Sequence, residues 1–591
     1  MFHDALVPFA ERRIIKMQFD LREVPFSTRG SYMAVSRHEA GFRGRNNEAG
    51  IFLRTVHGNA RNPMVARIQP LLHGKACDYQ VKAMPEKVTI SLEKGVLTLV
   101  YADADTLLIG GQGTGIGVRL DFMPGEMFDF IQPVMSGKEM WYLADCFKNY
   151  ARYMLFAQSG KVSLDQEWNV SGADYCRFDV EEENGEFTLV IEEVQDSWCR
   201  RNRQFDVQQE CAGAAERFRQ FCDSMPSVPQ EYEETREIAA YVNWSSIVRQ
   251  MGFLKREAMF MSKNWMCNVW SWDHCFNAMA LSYQNPKEAW DQFMIMFDQQ
   301  SATGRIPDSI NDSVIIDNYC KPPIHGWALR KLRKQMELSR EQLEEAYEKL
   351  GKWTNWWLNY RDQDGDGLCE YTHGNDSGWD NATAFRMLPP VTLPDLAAFL
   401  IIQMEVLSEV AEETGRSKDS RMWAQKAADM KSAMEKKLFR DGEPCAIQTV
   451  TGEKIENDSL ILYLPIILGK RLPENIREYL VSQLKSERFL TAYGLATEDP
   501  SSKLYVSDGY WRGPVWAPST MLIVDGLWEC GEEELVKVIA RRFCDSVRQS
   551  GCAENFDALT GEGLRDRAYT WTASVMLVMA HEYLENPSQC C

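Results

Sequence analysis

The sequence predicts an α+β protein in which an antiparallel β-sandwich is followed by a double ring of α-helices. The chain has 591 residues, and up to about residue 225 it reads as short β-branched stretches separated by Gly, Asn and Asp. From about residue 230 onward, apolar residues recur at helical spacings of three and four. We therefore expect two domains, a β-sandwich over 1–225 and a helical domain over 226–591.

Three runs carry the strand prediction, at 88–92, 95–101 and 187–191. Each is short and rich in β-branched residues, which is typical of strands that pair in a sandwich. The glycine-rich run 110–117 lacks the spacing of a phosphate-binding loop, and no Gly-Lys-Ser/Thr opens a helix after it. We interpret it as a flexible loop between strands.

The helical half contains nine segments with clear helical periodicity, at 236–252, 274–283, 341–360, 393–415, 420–438, 475–485, 517–531, 532–550 and 570–584. Asp273 could cap one helix, and Pro286 suits the first position of the next. About 350 residues at roughly 30 per helix and loop give about a dozen helices. That number fits six inner and six outer helices better than a plain bundle or a repeat array.

The composition excludes several classes of function. The formal net charge of −20 disfavours nucleic acid and anionic membranes as partners, but it does not exclude neutral sugars. No apolar run is long enough for a transmembrane helix, and the N-terminus has no secretory signal, so we expect a cytoplasmic protein. The 16 cysteines include no C-x-x-C pair, which argues for buried free thiols rather than a zinc or redox module.

Two carboxylates, Asp380 and Glu554, stand in polar, glycine-punctuated segments that also contain aromatic residues. A glycosidase needs one acid to protonate the leaving oxygen and one base to activate water. Asp380 directly follows Trp379, and loss of hydration against an indole would raise its pKa and suit a general acid. Asp376 is its rival for that role, and a solvated surface charge is the alternative interpretation of any single acid.

Tryptophan is concentrated in the helical half, where 15 of the 18 lie beyond residue 240. Aromatic faces stack on the apolar faces of sugars, and binding sites favour loops. We therefore expect sugar contacts from the tryptophans in loop-like motifs, which are Trp270, Trp272, Trp379, Trp511 and Trp516. We assign those in mid-helix to the core, namely Trp353, Trp356, Trp357, Trp423 and Trp528.

A metal or cofactor is not required by these motifs. Asp362, Asp364 and Asp366 resemble the opening of an EF-hand loop, but His373 occupies the twelfth position, where a bidentate Glu is needed. A tight acidic turn is the preferred interpretation, and a structural calcium ion is the alternative. Histidines are few and none pairs at metal-ligand spacing, so we expect no zinc site.

Six motifs, taken together and in order, resemble those of glycoside hydrolase family 63, the group of processing α-glucosidases and mannosylglycerate hydrolases. They lie at 270–276, 304–308, 321–327, 377–381, 510–516 and 554–557. The resemblance covers roughly residues 230–585, is weaker to the trehalase family, and is only architectural in the amino-terminal half. It implies an (α/α)6 barrel and inversion at the anomeric carbon.

The resemblance also implies roles for individual residues. Asp380 matches the general acid, Glu554 the general base, and Trp272 with Asp273 the pair that grips the sugar. Further substrate-binding residues in the same motifs are Asp308, Lys321, Trp327, Asp376, Trp379, Trp511, Arg512, Gly513 and Trp516. This chain departs from the family pattern at Phe556, where Tyr is commoner, and at Asp376, where Glu is frequent.

We therefore expect an inverting, exo-acting glycoside hydrolase, in the first instance an α-glucosidase that acts on short α-linked oligosaccharides or glycosides. A trehalase and a mannosyl- or glucosylglycerate hydrolase remain alternatives within this class. A sugar isomerase or epimerase on the same barrel, and a non-catalytic carbohydrate-binding protein, are alternatives outside it. The scarcity of His argues against an epimerase, and the presence of both acids argues against a protein that only binds. Sugar, linkage, aglycone and oligomeric state are left open.

Overall fold

The computed structural model describes residues 17–41, 48–60, 63–123, 127–137 and 139–585. The amino-terminal segment on which the absence of a signal was predicted lies outside these residues. Within them, two antiparallel sheets come first and a set of twelve α-helices follows. The predicted α+β class is confirmed.

The first sheet has seven strands and the second has eight. The first contains β1 (Met33–His38), β2 (Gly50–Thr55), β3 (Met64–Leu72), β4 (Lys75–Ala76), β9 (Ile116–Phe122), β13 (Lys161–Asn169) and β14 (Gly172–Glu181). The second contains β5 (Gln80–Ala83), β6 (Val88–Leu92), β7 (Gly95–Asp103), β8 (Thr106–Gly113), β10 (Phe130–Ser136), β11 (Glu139–Cys146), β12 (Ala151–Ser159) and β15 (Glu186–Glu193). Their orders are β1-β2-β3-β9-β14-β13, with β4 beside β3, and β10-β11-β12-β15-β8-β7-β6-β5.

The two sheets share one apolar core and form the predicted sandwich. Alternate residues such as Leu53 of the first sheet and Leu97 of the second are fully buried in this core. The glycine-rich run is not a flexible loop, because its first four residues belong to β8. A Cβ atom on Gly111 would lie 2.1 Å from the ring of Phe187, so glycine here permits close packing between neighbouring strands.

One helix falls in the part of the chain that was predicted to be strand. Helix α1 (Val207–Asp223) begins at Asp206, whose side chain accepts a hydrogen bond from the Gln209 amide at 2.8 Å. Its apolar residues, among them Cys211 and Ala214, cover Val100 and other residues on the outer face of the eight-stranded sheet. The position of the domain boundary near residue 225 stays a prediction.

The helical half is a double ring of six inner and six outer segments. The outer helices are α2 (Glu233–Ser246), α4 (Pro286–Met294), α6 (Arg340–Tyr360), α8 (Ser417–Lys437), α9 (Glu474–Lys485) and α11 (Glu533–Ser550). The inner segments are α3 (Asp273–Leu281), α5 (His325–Gln335), α7 (Pro394–Glu413), the 3-10 segment Leu460–Arg471, α10 (Ala517–Cys530) and α12 (Thr570–Met579). Each inner segment packs against the next, and α12 packs against α3, so the ring closes.

Burial separates the two rings. Every residue of α3 and of α12 is buried, as is typical of helices enclosed on all sides, whereas the outer helix α11 buries only one face. The nine predicted helices are present, with ends shifted by a few residues. Two inner segments were not predicted: α5, which begins inside the motif at 321–327, and Leu460–Arg471, which contains Pro465 and a non-helical Gly469.

Short strands connect the loops at the barrel ends. They are β16 (Ile247–Val248), β17 (Ala258–Met259), β18 (Val269–Trp270), β19 (Ser309–Ile310), β20 (Ile315–Ile316), β21 (Val391–Thr392), β22 (Phe439–Arg440), β23 (Glu443–Pro444), β24 (Ala446–Gln448), β25 (Lys454–Ile455), β26 (Leu490–Thr491), β27 (Gly494–Leu495), β28 (Asn555–Phe556) and β29 (Gly563–Leu564). The strands β18, β19 and β20 form one antiparallel sheet beside the start of α3.

Two sequence expectations concern the chain as a whole. None of the helices in the described residues is both long enough and apolar enough to cross a bilayer. The 14 cysteines in those residues are free thiols, and most are buried, as the sequence predicted. Cys590 and Cys591 lie outside the described part of the chain.

Candidate active site

The candidate active site lies where the inner segments of the barrel begin. Asp273 starts α3, Lys321 precedes α5, Asp380 precedes α7, Tyr510 precedes α10 and Glu554 precedes α12. An outer helix returns the chain between successive inner ones, so the loops before the inner helices gather at one end of the ring. The phenol of Tyr510 interacts electrostatically with the carboxylates of Glu554, Asp380 and Asp273, which places all three acids around it.

Glu554 is enclosed by protein. It is 6% exposed, and its amide donates a hydrogen bond to the Asp566 carbonyl at 2.7 Å. Burial, and to a lesser extent the neighbouring Asp566, raise the pKa of the Glu554 carboxyl to about 7 against the opposing effects of Arg565 and the Tyr510 hydroxyl. A carboxyl whose pKa is near neutral can exchange a proton at the pH at which most enzymes work.

Asp380 is more open than its position after Trp379 predicted. Its side chain is 38% exposed, whereas the Trp379 indole is buried. The Asp380 Oδ1 atom lies 3.8 Å from Lys321 Nζ. Asp380 lines a cavity of about 480 Å³ together with His373 and Arg386. The prediction that Asp380 loses its hydration against Trp379 is therefore wrong. Its carboxyl nevertheless borders an open cavity, where it can contact a leaving group.

Lys321 connects the acids on this side of the site. Its Nζ atom lies 3.2 Å from Asp308 Oδ1 and donates hydrogen bonds to the carbonyl oxygen of Asn375, at 3.0 Å, and to the Asn375 side chain. Burial by itself would lower the pKa of Lys321, but Asp308, Asp380 and Asp273 raise it above its usual value. The ammonium therefore stays charged and offsets part of the local negative charge.

Asp273 does not cap α3 as the sequence suggested. The helix begins at Asp273 itself, and the position before it is Trp272. Burial raises the pKa of Asp273 to about 8, with Lys321 opposing the shift, and burial also raises the pKa of Asp308. Among the described residues, Asp273 Oδ2 has no hydrogen-bond partner. A buried carboxyl oxygen without a partner is suited to a sugar hydroxyl.

Asp376, the predicted rival for the general acid, is occupied elsewhere. Its carboxylate accepts hydrogen bonds from the Cys320 amide at 3.1 Å, from the amide and hydroxyl of Thr372 at 3.0 and 2.7 Å, and from Arg361 at 3.1 Å. Asp376 and Arg361 are both largely buried. These contacts hold the loop before Asp380 in place and leave Asp376 poorly suited to donate a proton to substrate.

The loop tryptophans form a buried wall rather than an exposed platform. Trp511 stacks on Trp516 with ring centroids 4.0 Å apart, lies 4.7 Å from Trp379, and is 6.1 Å from Trp272. Trp571 of α12 packs edge-on against Trp272. All five indoles are almost completely buried, so they shape the floor around the acids and leave only their edges for a ligand.

Two of the predicted sugar-binding tryptophans use their polar atoms in contacts within the protein. The Nε1 atom of Trp327, on α5, donates to Asp525 Oδ2 at 2.7 Å, and its ring packs on Phe276. The Nε1 atom of Trp516 donates to the Tyr510 carbonyl at 2.9 Å while its face is covered by Trp511. These contacts assign both residues to support of the site. The predicted direct contact with sugar is not supported for either one.

Glycines allow the aromatic loops to approach each other closely. Gly378 has φ 75°, and a Cβ atom there would lie 2.5 Å from the Trp272 ring. A Cβ atom on Gly513 would lie 2.3 Å from the Val506 carbonyl oxygen. Next to it, Arg512 lines the same cavity as Asp380 and donates to the Leu504 carbonyl at 2.9 Å. The Arg512-Gly513 prediction is thus consistent with the position of this loop.

Several residues at the site were not selected from the sequence. The Tyr510 hydroxyl lies near the Glu554 carboxyl and opposes the rise of its pKa. Asn381 bridges two loops, because its Nδ2 donates to the Gly509 carbonyl and its Oδ1 accepts from the Trp511 amide, both at 3.0 Å. Tyr510 and Asn381 stand inside recognised motifs, which is the signal that could have identified them.

The acidic turn partly fits a calcium ion. Carboxylate oxygens of Asp362, Asp364 and Asp366 lie within 4.8 Å of one another. However, Lys437 Nζ lies 2.7 Å from Asp366 Oδ2, and the side chain of His373 at the twelfth position accepts a hydrogen bond from the Asn375 amide. Calcium at this turn stays a prediction, and the contacts as they stand support a turn neutralised by lysine.

Sequence comparison identifies this catalytic half. Residues 266–572 match the profile of the mannosylglycerate hydrolase MGH1-like glycoside hydrolase domain. This stretch includes all the acids described above. The chain belongs to this family. It is a member of glycoside hydrolase family 63, and the protein is a glycoside hydrolase.

The similarity to individual relatives is distant but extensive. Mannosylglycerate hydrolase MGH2 of Selaginella moellendorffii is 24% identical over 396 residues, which cover 52% of this chain and 79% of that protein. Glucosylglycerate hydrolase of Mycolicibacterium hassiacum is 20% identical over 408 residues, covering 52% of this chain and 91% of that protein. The family 63 resemblance is therefore confirmed for the helical half.

Solved structures extend the comparison of fold. The family 63 mannosylglycerate hydrolase of Thermus thermophilus, in complex with glucose, superposes with a TM-score of 0.52 at 20% identity over 58% of this chain and 99% of that one. A bacterial glucoamylase complexed with acarbose superposes with a TM-score of 0.60 at 9% identity, covering 97% of this chain and 96% of that one. The glucoamylase match spans both the sandwich and the barrel.

Proposed function

We propose that this family 63 enzyme is an inverting, exo-acting hydrolase of short α-glycosides, with Asp380 as general acid and Glu554 as general base. The difference between the two carboxyl environments carries the assignment. Asp380 borders an open cavity through which an aglycone can leave, whereas Glu554 is buried beside Tyr510. Glycoside hydrolysis by inversion uses one carboxylic acid to protonate the leaving oxygen and one carboxylate to activate water, and we assign these two roles to the open and the enclosed group.

The reaction follows from these positions. Asp380 donates its proton to the glycosidic oxygen as the bond from the anomeric carbon to that oxygen breaks. Glu554 accepts a proton from a water molecule that attacks the anomeric carbon from the opposite face. Inversion requires a carboxyl separation of about 6.5–9.5 Å, which leaves room for that water. Asp273, Asp308 and Lys321 surround the position of the sugar and bind its hydroxyls.

We propose two candidate classes of substrate. An α-glucosidase remains the first proposal for the sugar. A second candidate, a hydrolase of glycosides with an anionic aglycone such as glycerate, is favoured by the residues of the Asp380 cavity. His373, Arg386 and Arg512 line it, and among the described residues both arginines donate to backbone carbonyls and neither has a carboxylate within ion-pairing distance. Relatives named for mannosylglycerate and glucosylglycerate are consistent with this candidate.

A substrate panel tests both levels of the proposal. The panel contains α-linked glucose disaccharides, trehalose, mannosylglycerate and glucosylglycerate, with the first-formed anomer of the product observed by proton NMR. Release of the β-anomer from an α-glycoside supports inversion. Release of the α-anomer would exclude it, and an epimerised product in place of free sugar would support the isomerase alternative.

A further inference from the structure

One histidine of the β-sandwich contacts a hairpin of the barrel half. His57 follows strand β2, and its Nδ1 atom lies 2.9 Å from Asp312 Oδ2 in the barrel half. The next residue of the sandwich, Gly58, donates its amide to the other Asp312 oxygen at 3.2 Å. Both carboxylate oxygens of Asp312 are thus held by the amino-terminal domain.

His57 is itself held from the sandwich side. Its Nε2 atom lies 3.3 Å from Glu193 Oε1 at the end of β15, and Glu193 also pairs with Arg249 at 3.3 Å. The imidazole stacks on Tyr32 with ring centroids 4.3 Å apart and planes inclined by 7°. A ring fixed on both nitrogens and on one face has little freedom to move, so it transmits the position of the sandwich to Asp312.

Asp312 is the tip of the hairpin that carries a sugar-binding acid. The hairpin joins β19 and β20, and the Asp308 amide donates to the Ile316 carbonyl at 2.8 Å at its other end. The Ser271 amide donates to the Asp308 carbonyl at 3.0 Å, next to β18, which leads directly into Trp272 and Asp273. One small sheet therefore connects Asp312 to both Asp308 and Asp273.

We propose that His57 is a positioning residue, through which the β-sandwich fixes the Asp312 hairpin and so holds Asp308 and Asp273 in register for the bound sugar. The barrel holds the tip through the Phe253 amide, which donates to the Asp312 carbonyl at 3.0 Å, and through Asn268, whose side-chain oxygen accepts from Asn311 Nδ2 at 2.7 Å. The side chain of Asp312 is held only from the sandwich and by its neighbour Ser313, among the described residues. The inference rests on the proposed function, because it takes Asp308 and Asp273 as sugar-binding groups.

The interface offers a matched control. Arg29 of the amino-terminal half pairs with Glu257 at 2.5 Å and with Glu288 at 3.2 Å in the barrel half. It therefore links the same two parts of the chain, but it does not contact the Asp312 hairpin. A variant Arg29→Ala removes an ionic contact of the same kind and leaves the β18-β19-β20 sheet untouched.

The full-length variants His57→Ala, His57→Gln and Arg29→Ala are compared by three measurements. These are KM and kcat on the best substrate of the panel, the Kd of 1-deoxynojirimycin by calorimetry, and hydrogen exchange of peptides covering 306–316. We expect His57→Ala to raise KM and Kd by about tenfold to a hundredfold, because displacement of binding groups by about 1 Å has effects of this size. The 306–316 amides should exchange faster, and His57→Gln should fall between His57→Ala and the wild type.

The proposal is overturned if His57→Ala and Arg29→Ala raise KM equally for an equal loss of melting temperature, since His57 would then contribute only to stability. Unchanged exchange over 306–316 in a folded His57→Ala protein also overturns it. The exchange measurement needs no substrate. If the wild type cleaves nothing in the panel but the 306–316 amides of His57→Ala exchange faster, the proposed substrate is wrong. The role of His57 in positioning the hairpin then still stands.

Discussion

Tyr510, whose backbone is held at φ 65° in the left-handed region, lies beside Glu554, and its hydroxyl favours the ionised form of the Glu554 carboxyl. Arg565 also has a positive φ, of 62°, and its guanidinium lies over the Tyr510 ring at 5.0 Å. Left-handed backbone costs about 1–3 kcal/mol for residues other than glycine and is concentrated at functional sites. Both strained residues also lower the pKa of Glu554, which indicates that their placement matters to this carboxyl.

Replacing Tyr510 with Phe should raise the pH at which the enzyme becomes active. The Tyr510 hydroxyl lowers the pKa of Glu554, whose value of about 7 is set mainly by burial. The base must be deprotonated, so kcat/KM rises with pH through this pKa. Without the hydroxyl, the acidic limb of the kcat/KM profile should move to higher pH. A hydrogen bond to a charged group contributes about 1.5–3 kcal/mol, so the loss at about pH 6 should be roughly tenfold or more.

The control for this change is Tyr505→Phe, which removes a hydroxyl from the same part of the chain without touching Glu554. It should leave the profile where it is. If Tyr510→Phe lowers kcat/KM equally at every pH, the hydroxyl acts on the substrate rather than on the base.

Substrates with different leaving groups should separate the two acids. Asp380→Asn should reduce hydrolysis of an ordinary glycoside by roughly 10²–10⁴-fold, the contribution of a general acid. It should recover most of this activity on a 2,4-dinitrophenyl glycoside, whose leaving oxygen needs no proton. Glu554→Gln should lose a similar factor on both substrates. Recovery in Glu554→Gln but not in Asp380→Asn would reverse the two roles.

The same base should destabilise the protein at alkaline pH. Burial raises the pKa of Glu554 above its value in an unfolded chain, so the neutral carboxyl is favoured in the fold, and this stabilisation is lost as the pH rises through about 7. Glu554→Gln stays neutral at every pH. Its free energy of unfolding should match that of the wild type at about pH 4 and exceed it by roughly 1–3 kcal/mol at about pH 8. Denaturant unfolding at both pH values measures the difference, and an equal difference at the two would refute a buried ionised Glu554.

Much of this site could be predicted because it is built from short contiguous motifs. Asp380 and Glu554 stand in loops before inner helices, where helical periodicity stops and Gly and Trp appear. The double ring followed from the number of periodic segments and the absence of alternating strands. Helix α5 was missed because its first turn coincides with the motif at 321–327, so the motif masked the helical period.

The contacts that assign roles could not be predicted, because they depend on the relative positions of distant loops. Trp327 and Trp516 look equivalent to Trp272 in sequence. Only the packed structure shows that their Nε1 atoms donate hydrogen bonds to the Asp525 carboxylate and the Tyr510 carbonyl. Asp376 lies in the same segment as Asp380. Its different role depends on Arg361, a residue 15 positions away that packs against it.

Asp376→Asn should therefore lower the stability of the protein without abolishing hydrolysis. Removing one partner of a buried ion pair costs about 3–5 kcal/mol, since Arg361 is left without its carboxylate. We expect a clear drop in melting temperature, while the folded protein at low temperature still cleaves ordinary glycosides far faster than Asp380→Asn. Asp429→Asn, an equivalent change at an exposed position on α8, should leave stability unchanged. A stable Asp376→Asn protein without activity would restore Asp376 as the general acid.

The charge of the aglycone should be recognised by Arg386. This residue is exposed and lines the Asp380 cavity, and its NH1 group donates to the Glu456 carbonyl at 3.0 Å, which orients the guanidinium without neutralising it. If the aglycone is glycerate, Arg386→Gln should raise KM for the glycosylglycerate by about tenfold, the effect of losing one charge-assisted hydrogen bond, and leave KM for a neutral glucoside within about twofold. Arg421→Gln makes the same change of charge on the exposed face of α8 and should affect neither substrate.

Salt provides a second measurement, because an ionic contact weakens as ionic strength rises. The wild type should lose its preference for glycerate glycosides in high salt, and Arg386→Gln should show no such dependence. An equal rise in KM for neutral and anionic substrates would show that Arg386 contributes to the shape of the cavity and does not bind the charged aglycone. That outcome would favour the α-glucosidase over the glycosylglycerate hydrolase.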